Sequence, residues 1–255
     1  GLLGYYALIG LCRVHTILGD YSLALDVLAP VDLGQGGLST RVAACFISAC
    51  YYIGFCYLMC RRYVDATRVF AQALFYVART KQYHTRATNY SEFLKKSEQI
   101  HALFAISHAL CPQPKAYEHK THDLSDKVVD RIKRLRQSPG NVSLHEDLFS
   151  FACPKFVSPA LPEYDQAEAE PATQKLFRGQ LRIFLDEVRS KRMHPELRSY
   201  LKLYKSITIT KLGELLDMDE SALREQLLCL KRQNSQLVWP GAGAPLEGRM
   251  QVSSV

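Results

Sequence analysis

Between Val42 and Cys60 the chain carries no charged side chain, so any fold it adopts must take a helix-length stretch out of water on nearly every side. Two solutions exist. The stretch approaches the roughly 20 apolar residues that a membrane span needs. Against a span, Ser48, Tyr51, Tyr52 and Tyr57 lie within it. A helix packed on both sides by its neighbours is apolar all round for a different reason, and the flanking sequence selects that reading.

Leu2, Tyr6, Ile9, Arg13 and Ile17 follow helical spacing, Gly19-Asp20-Tyr21 interrupts it, and Leu23, Ala24, Val27 and Leu28 resume it. This reads as a helical hairpin. After the Gly-rich loop Leu33 to Thr40, Tyr63-x-x-Ala66 repeats Tyr21-x-x-Ala24 at an offset of 42 residues (66 − 24). In the second hairpin Ile53, Gly54, Tyr57, Ala66, Phe70 and Ala73 match the small and large positions of a tetratricopeptide repeat, with small residues where two helices cross closely. Such a repeat spans about 34 residues, and the loop at Gly34 to Gly37 absorbs the excess. The uncharged stretch is thus expected to be a repeat helix and not a membrane span.

Lys81 to Tyr90 is polar and reads as a loop, and a further helix is expected from about Phe93 to Leu110, ending at Cys111-Pro112-Gln113-Pro114. Leu124, Val128, Ile132 and Leu135 then line one face of a helix. Its other face holds Lys127, Arg131, Lys133, Arg134 and Arg136, the candidate RNA-contact residues. Asp123, Asp126 and Asp130 partly neutralise that face, and an ordinary solvated surface is the competing reading. Farther on, Phe177, Leu181, Phe184, Leu185 and Val188 form another apolar stripe, expected to seat the C-terminal part.

From Ser199 to Trp239 the order of elements reads as a winged helix. A helix with Leu197, Tyr200, Leu201 and Tyr204 on one face leads into the alternating Ile207-Thr208-Ile209-Thr210, which predicts a short strand. Helices follow over Lys211 to Leu216 and after Asp219, whose carboxylate suits a helix start, with Leu223, Leu227 and Leu230 facing inward. Gln236-Leu237-Val238-Trp239 returns as a strand before Pro240-Gly241-Ala242-Gly243 breaks it. A small sheet has exposed edges that can pair with a neighbour, which makes Ile207, Ile209, Leu237, Val238 and Trp239 the candidate partner-binding residues. Trp239, the only tryptophan, reads as a core plug or an interface anchor. The outward positions of the second helix, Glu220, Ser221, Arg224, Glu225, Lys231 and Arg232, are of mixed charge, which disfavours base readout. The expected class is all-α: tetratricopeptide-like repeats over 1–193, then a winged-helix part over 194–255 whose wing is incomplete at the C-terminus.

The net charge of +7 and pI near 8.9 suit contact with an acidic surface and say nothing of a reaction. Eight cysteines at 12, 45, 50, 56, 60, 111, 153 and 229 fall mostly in apolar helical pattern, without CxxC, and read as free thiols of a reducing, cytoplasmic compartment. Cys56 and Cys60 lie one turn apart but lack the further ligands of a metal site. His101 and His108 lie two turns apart on one helix and read as structural, while His119 and His122 with Asp123, in a loop, are a weak alternative ligand set. No phosphate-cradling loop, HExxH or GxSxG occurs, and Gly34-Gln35-Gly36-Gly37 lacks the lysine of a nucleotide loop. No enzyme, cofactor or metal is expected. The chain opens at Gly1 inside a helical pattern, without an initiator methionine or basic leader, and reads as an internal fragment.

The segment His145-Glu146-Asp147-Leu148-Phe149-Ser150-Phe151-Ala152-Cys153-Pro154-Lys155-Phe156-Val157-Ser158-Pro159 begins helical and ends extended at its prolines. Together with Tyr52 to Tyr63, Leu201-Lys202-Leu203-Tyr204, Leu237-Val238-Trp239, the turn Arg61-Arg62-Tyr63 with Asp65-Ala66, and Tyr164-Asp165, it resembles the subunit L family of eukaryotic translation initiation factor 3. The resemblance covers nearly all of the chain. It departs at the polar linker Glu163 to Ala172 and at Leu246-Glu247-Gly248, the turn of a wing whose later strand and following helix are absent. The resemblance implies a PCI domain, meaning helical repeats capped by a winged helix, in a non-catalytic scaffold of the initiation complex. It also implies neighbouring PCI subunits as partners, K and E among them, and support for small ribosomal subunit and messenger RNA recruitment. A PCI subunit of the proteasome lid or the signalosome, and a nucleic-acid-binding winged helix, are the alternatives.

Overall fold

The computed structural model describes residues 2–31, 42–84, 90–111, 126–137, 141–159 and 172–233. Every regular element among them is an α-helix. In chain order these are α1 (Leu2–Leu18), α2 (Tyr21–Leu28), α3 (Ala43–Met59), α4 (Tyr63–His84), α5 (Tyr90–Leu110) and α6 (Asp126–Gln137). They continue as α7 (Val142–Ala152), α8 (Ala172–Ser190), α9 (His194–Leu203), α10 (Ile209–Leu216) and α11 (Glu220–Gln233). The chain divides into two compact units, Gly1–Asp186 and Glu187–Val255.

In the first unit α1 and α2 pair as one hairpin and α3 and α4 as another. The two hairpins turn in the same way. Gly19 has φ +90°, its N–H donates to Thr16 O at 3.2 Å, and the N–H of Asp20 donates to His15 O at 2.9 Å. At an offset of 42 residues (61 − 19), Arg61 has φ 63°, donates to Leu58 O at 3.1 Å, and is followed by Arg62 donating to Tyr57 O at 2.8 Å. These bonds satisfy carbonyls left open at the end of a helix. The first hairpin uses glycine for the left-handed residue; the second uses arginine. Arg62 also pairs with Asp65 at 2.6 Å, and its guanidinium lies over the Tyr57 ring at 4.7 Å.

The uncharged helix α3 packs against α1, α2, α4 and α5. Phe46, Ile47, Ala49, Cys50, Tyr51, Tyr52, Ile53, Phe55, Cys56 and Leu58 are all buried, covering every side of the helix. Each large side chain withdrawn from water in this way contributes about 1.5 to 3 kcal/mol. Among the described residues no helix is long and apolar enough to cross a membrane. The ring of buried Phe70 on α4 lies against α3 at Gly54, where an added Cβ would lie 2.4 Å from its Cε1.

The loop expected at Lys81 to Tyr90 is corrected at both ends: α4 runs on to His84, and α5 begins at Tyr90. Lys81, Gln82, Tyr83 and His84 are polar without containing a helix breaker, and polarity alone does not end a helix. On α5, Ile100, Leu103, Phe104 and Ile106 are fully buried. Helix α6 packs on α5 through Val128, Ile132 and Leu135. Leu124, expected on that stripe, lies outside the described residues.

Asn141 caps α7 by accepting from the N–H of Leu144 at 3.3 Å. At its other end Ala152 O accepts from the Tyr51 hydroxyl at 2.7 Å. The prolines then hold the chain extended, Phe156 turns inward, and the N–H of Val157 donates to Ile17 O at 3.0 Å. This segment ties the end of α7 to the end of α1. Phe55, Phe149 and Phe156 meet with ring centroids about 6 Å apart, and Phe184 of α8 stacks on Phe149 at 4.4 Å. Gln180 Oε1 accepts from the Tyr21 hydroxyl at 2.7 Å. The apolar stripe of α8 therefore serves the first unit through Phe184.

The second unit is built on Leu197, Leu212, Leu223 and Leu230, with Met193, Tyr200, Ile207, Ile209, Leu216 and Leu227 packed against them. The strand expected at Ile207 to Thr210 is a correction. Thr208 is extended and caps α10, its hydroxyl oxygen accepting from the N–H of Lys211 at 3.4 Å, so Ile209 already belongs to a helix. The face expected of α9 is corrected too: Leu201 is 44% exposed, and Tyr204 lies beyond the helix in extended conformation.

Candidate assembly and RNA-contact surfaces

Helices α10 and α11 are joined by Asp217, Met218 and Asp219. Asp217 is left-handed at φ 52°, and the N–H of Met218 closes α10 by donating to Gly213 O at 3.0 Å. Gly213 is needed for that close turn, since a Cβ there would lie 2.9 Å from the Met218 carbonyl oxygen. Asp219 accepts from both the N–H and the hydroxyl of Ser221, which starts α11 and lowers the carboxyl pKa. The helix-turn-helix so formed presents Ser221, Arg224, Glu225, Lys231 and Arg232 outward. Arg224 lies 3.7 Å from Glu220 one turn earlier, so its charge is partly spent within the helix.

Of the candidate partner-binding residues, Ile207 and Ile209 are half-buried and support the core of this unit. Leu237, Val238 and Trp239 lie outside the described residues, as do the wing turn Leu246 to Gly248 and the segment Glu163 to Pro171. Exposed leucines at 201, 203, 215 and 228 add apolar surface to the unit.

The candidate RNA-contact residues are not equivalent. Arg131 is half-buried beside α5, where its charge helps to lower the pKa of His101 after burial has done most. Arg136 donates to His108 Nδ1 at 3.0 Å and leans on the His108 carbonyl at 3.5 Å. That bond needs a neutral imidazole; burial and the guanidinium together push the His108 pKa down to about 4. Lys133 and Arg134 are exposed. For Lys127 only the helical backbone is described. The sequence pattern identified the basic face but could not show that Arg136 is engaged 28 residues away.

Among the described residues no three His, Cys, Asp or Glu side chains gather as a metal site. His101 Nδ1 lies 2.8 Å from Ser97 O and His145 Nδ1 3.2 Å from Asn141 O, local bonds within their own helices. Burial raises the thiol pKa of Cys12 to about 11, of Cys50 to about 12 and of Cys153 to about 11, which suppresses thiolate chemistry.

Residues 1–255, the whole chain, match the family model described as RNA polymerase I-associated factor PAF67. The chain belongs to the Paf67 family. Curated relatives include eukaryotic translation initiation factor 3 subunit L of Nematostella vectensis, 43% identical over 256 residues, covering 99% of this chain and 48% of the relative. The subunit L proteins of Xenopus tropicalis and Homo sapiens are each 41% identical over 99% of this chain and 44% of their own length. The chain thus spans somewhat less than half of these relatives. Its resemblance to subunit L sequences runs from end to end, and in this Paf67 chain the Cys153-Pro154-Lys155-Phe156 segment has a definite structural task, joining α7 to α1.

Proposed function

We propose that this chain is part of a non-catalytic scaffold subunit of eukaryotic translation initiation factor 3, acting in the cytoplasm. One observation carries the reading: relatives 41 to 43% identical over 99% of the chain bear the name of subunit L. In this reading residues 1–193 are the tetratricopeptide-like part of a PCI module and 194–255 its winged-helix part. The matching turns at Gly19 and Arg61 and the close crossing at Gly54 support the first assignment. The short helices α10 and α11 joined by a tight turn support the second.

The partners are other PCI subunits of the complex, K and E among them, with the small ribosomal subunit and messenger RNA engaged through the assembly. Docking falls to the candidate residues Ile207, Ile209, Leu237, Val238 and Trp239. Weak RNA contact falls to the α6 face, with Lys133 and Arg134 as the exposed cations. Co-expression tests this: the whole chain and residues 1–193 are each produced with subunit K, with circular dichroism confirming that the shorter form stays helical. Subunit K should co-purify with the longer form and be lost with the shorter; equal recovery would move docking to the repeats.

The family description supplies a second reading, a helical scaffold associated with RNA polymerase I. Recovery of polymerase subunits in place of initiation-factor subunits would favour it.

A further inference from the structure

Helix α1 is apolar on two opposite sides. Tyr5, Ile9, Cys12 and Thr16 are buried on one, and Leu3, Ala7, Gly10, Leu11, Val14 and Leu18 are exposed on the other. At about 3.6 residues per turn the centres of the two sets fall half a turn apart. Arg13 is the one Asp, Glu, Lys or Arg between Leu2 and Leu18, and it lies to the side of both sets. The outward strip is continuous: Leu3 is 85%, Leu11 45% and Val14 46% exposed, and exposed Val157 extends it, its N–H bonded to Ile17 O beside Leu18. A water-facing apolar strip of this length marks a place that another surface covers.

The second hairpin shows what kind of surface that is. At the offset of 42 residues that relates the two turns (61 − 19), Ala7 corresponds to Ala49, Gly10 to Tyr52, Leu11 to Ile53 and Val14 to Cys56. All four residues of α3 are buried where their α1 counterparts are exposed. Helix α1 packs along α3, and the Sγ of Cys56 lies 3.2 Å from Oγ1 of Thr16, on the inward side of α1. The inward residues carry over as well: Tyr5, Ile9 and Thr16 correspond to Ile47, Tyr51 and Leu58, buried in both helices. The inward side of one hairpin's first helix thus covers the next hairpin's first helix, and α1 keeps the equivalent side open.

We propose that the outward face of α1 is the docking face for a helix of one further hairpin, lying along α1 as α1 lies along α3. The occupant is a helix of the same polypeptide outside residues 1–255, since the curated relatives, of which this chain covers 44 to 48%, have the length to supply it. Its contacting side is apolar, with a small or hydroxyl side chain where it meets Val14, as Thr16 meets Cys56. A larger side chain fits over Gly10, where an added Cβ would find nothing within 4 Å. A lipid surface fits less well, because interfacial helices flank their apolar side with several lysines or arginines and α1 has a single arginine. The inference stands on the two hairpins and does not rest on the translation reading.

The test uses the purified natural polypeptide. Photo-leucine is incorporated in place of leucine, and the cross-links formed on irradiation are mapped by mass spectrometry. Leu11 and Leu18 should link to one helical segment outside residues 1–255, while Leu58, fully enclosed on α3, should link within the first unit and so report that this unit is folded. Substitution gives a second readout. Leu11→Asp should lower the first melting transition by about 4 °C or more, whereas Leu201→Asp, at an equally exposed leucine of α9, should lower it by less than about 2 °C. Cross-links from Leu11 and Leu18 that are absent or confined to residues 1–255, as a second copy of this chain would give, or a Leu11→Asp shift no larger than that of Leu201→Asp, would overturn the proposal.

Discussion

A β-carbon placed on Gly54 would stand 2.4 Å from Cε1 of Phe70, so the two helices of the second hairpin share a space that admits the ring only because Gly54 has no side chain. Alanine ordinarily favours a helix over glycine by about 1 kcal/mol. Here the overlap reverses the sign, because Phe70 is fully buried and its ring cannot swing into solvent. Gly54→Leu should cost about 1 to 3 kcal/mol in urea unfolding. Pairing Gly54→Ala with Phe70→Leu should lose less than the two single changes together, since the smaller side chain vacates the overlap. Strict additivity would show that the contact is not limiting.

The two left-handed turns make a second prediction. Gly19→Ala forces a β-carbon into positive φ and should lower stability by about 1 kcal/mol. Arg61→Gly removes that same penalty from the second hairpin and should leave the melting temperature equal or higher. A large loss at Arg61→Gly would mean that the arginine side chain, and not its backbone, holds the turn.

Much of this architecture was legible because its signals are local or periodic. The uncharged stretch became a helix buried on all sides, Tyr21 and Tyr63 marked equivalent hairpin positions, and Leu223, Leu227 and Leu230 did face inward. Ile207-Thr208-Ile209-Thr210 misled because two β-branched residues flanking a threonine suit a strand as well as a capped helix start. The hydrogen bond from Lys211 decides between them, and alternation carries no trace of it. Contacts across 159 residues, such as Tyr21 with Gln180, leave no signature in spacing. Nor did the α6 pattern reveal that Arg136 serves His108 while Lys133 and Arg134 face outward.

Acid should weaken the fold through two histidines. His108 and His194 are buried, each has an Nε2 without a hydrogen-bond partner among the described residues, and burial leads the causes that lower each pKa from 6.5 to about 4. A depressed histidine pKa favours the neutral form in the folded state. Its stabilisation is therefore intact above about pH 6.5 and is lost progressively as pH falls toward 4, where the unfolded chain binds protons that the folded chain resists. Urea midpoints measured from pH 7.5 to 4.5 should decline, and His194→Gln should flatten part of that slope. A flat profile would contradict the burial of these rings.

RNA binding through α6 should be weak and steeply salt-dependent, since its exposed cations Lys133 and Arg134 share the helix with exposed Asp130 and sit over no aromatic ring among the described residues. Lys133→Glu with Arg134→Glu should reduce affinity and the salt slope alike for every sequence tested by filter binding. Tight, sequence-specific duplex binding that survives physiological salt would instead make the second unit a DNA reader.

The proposed membership in the translation initiation factor 3 assembly is tested most directly by quantitative mass spectrometry of proteins that co-purify with the tagged chain from cell extract. PCI subunits of that factor, K and E included, should be enriched in stable proportion together with small ribosomal subunit proteins. Enrichment of RNA polymerase I, proteasome-lid or signalosome subunits, with initiation-factor subunits at background, would contradict it.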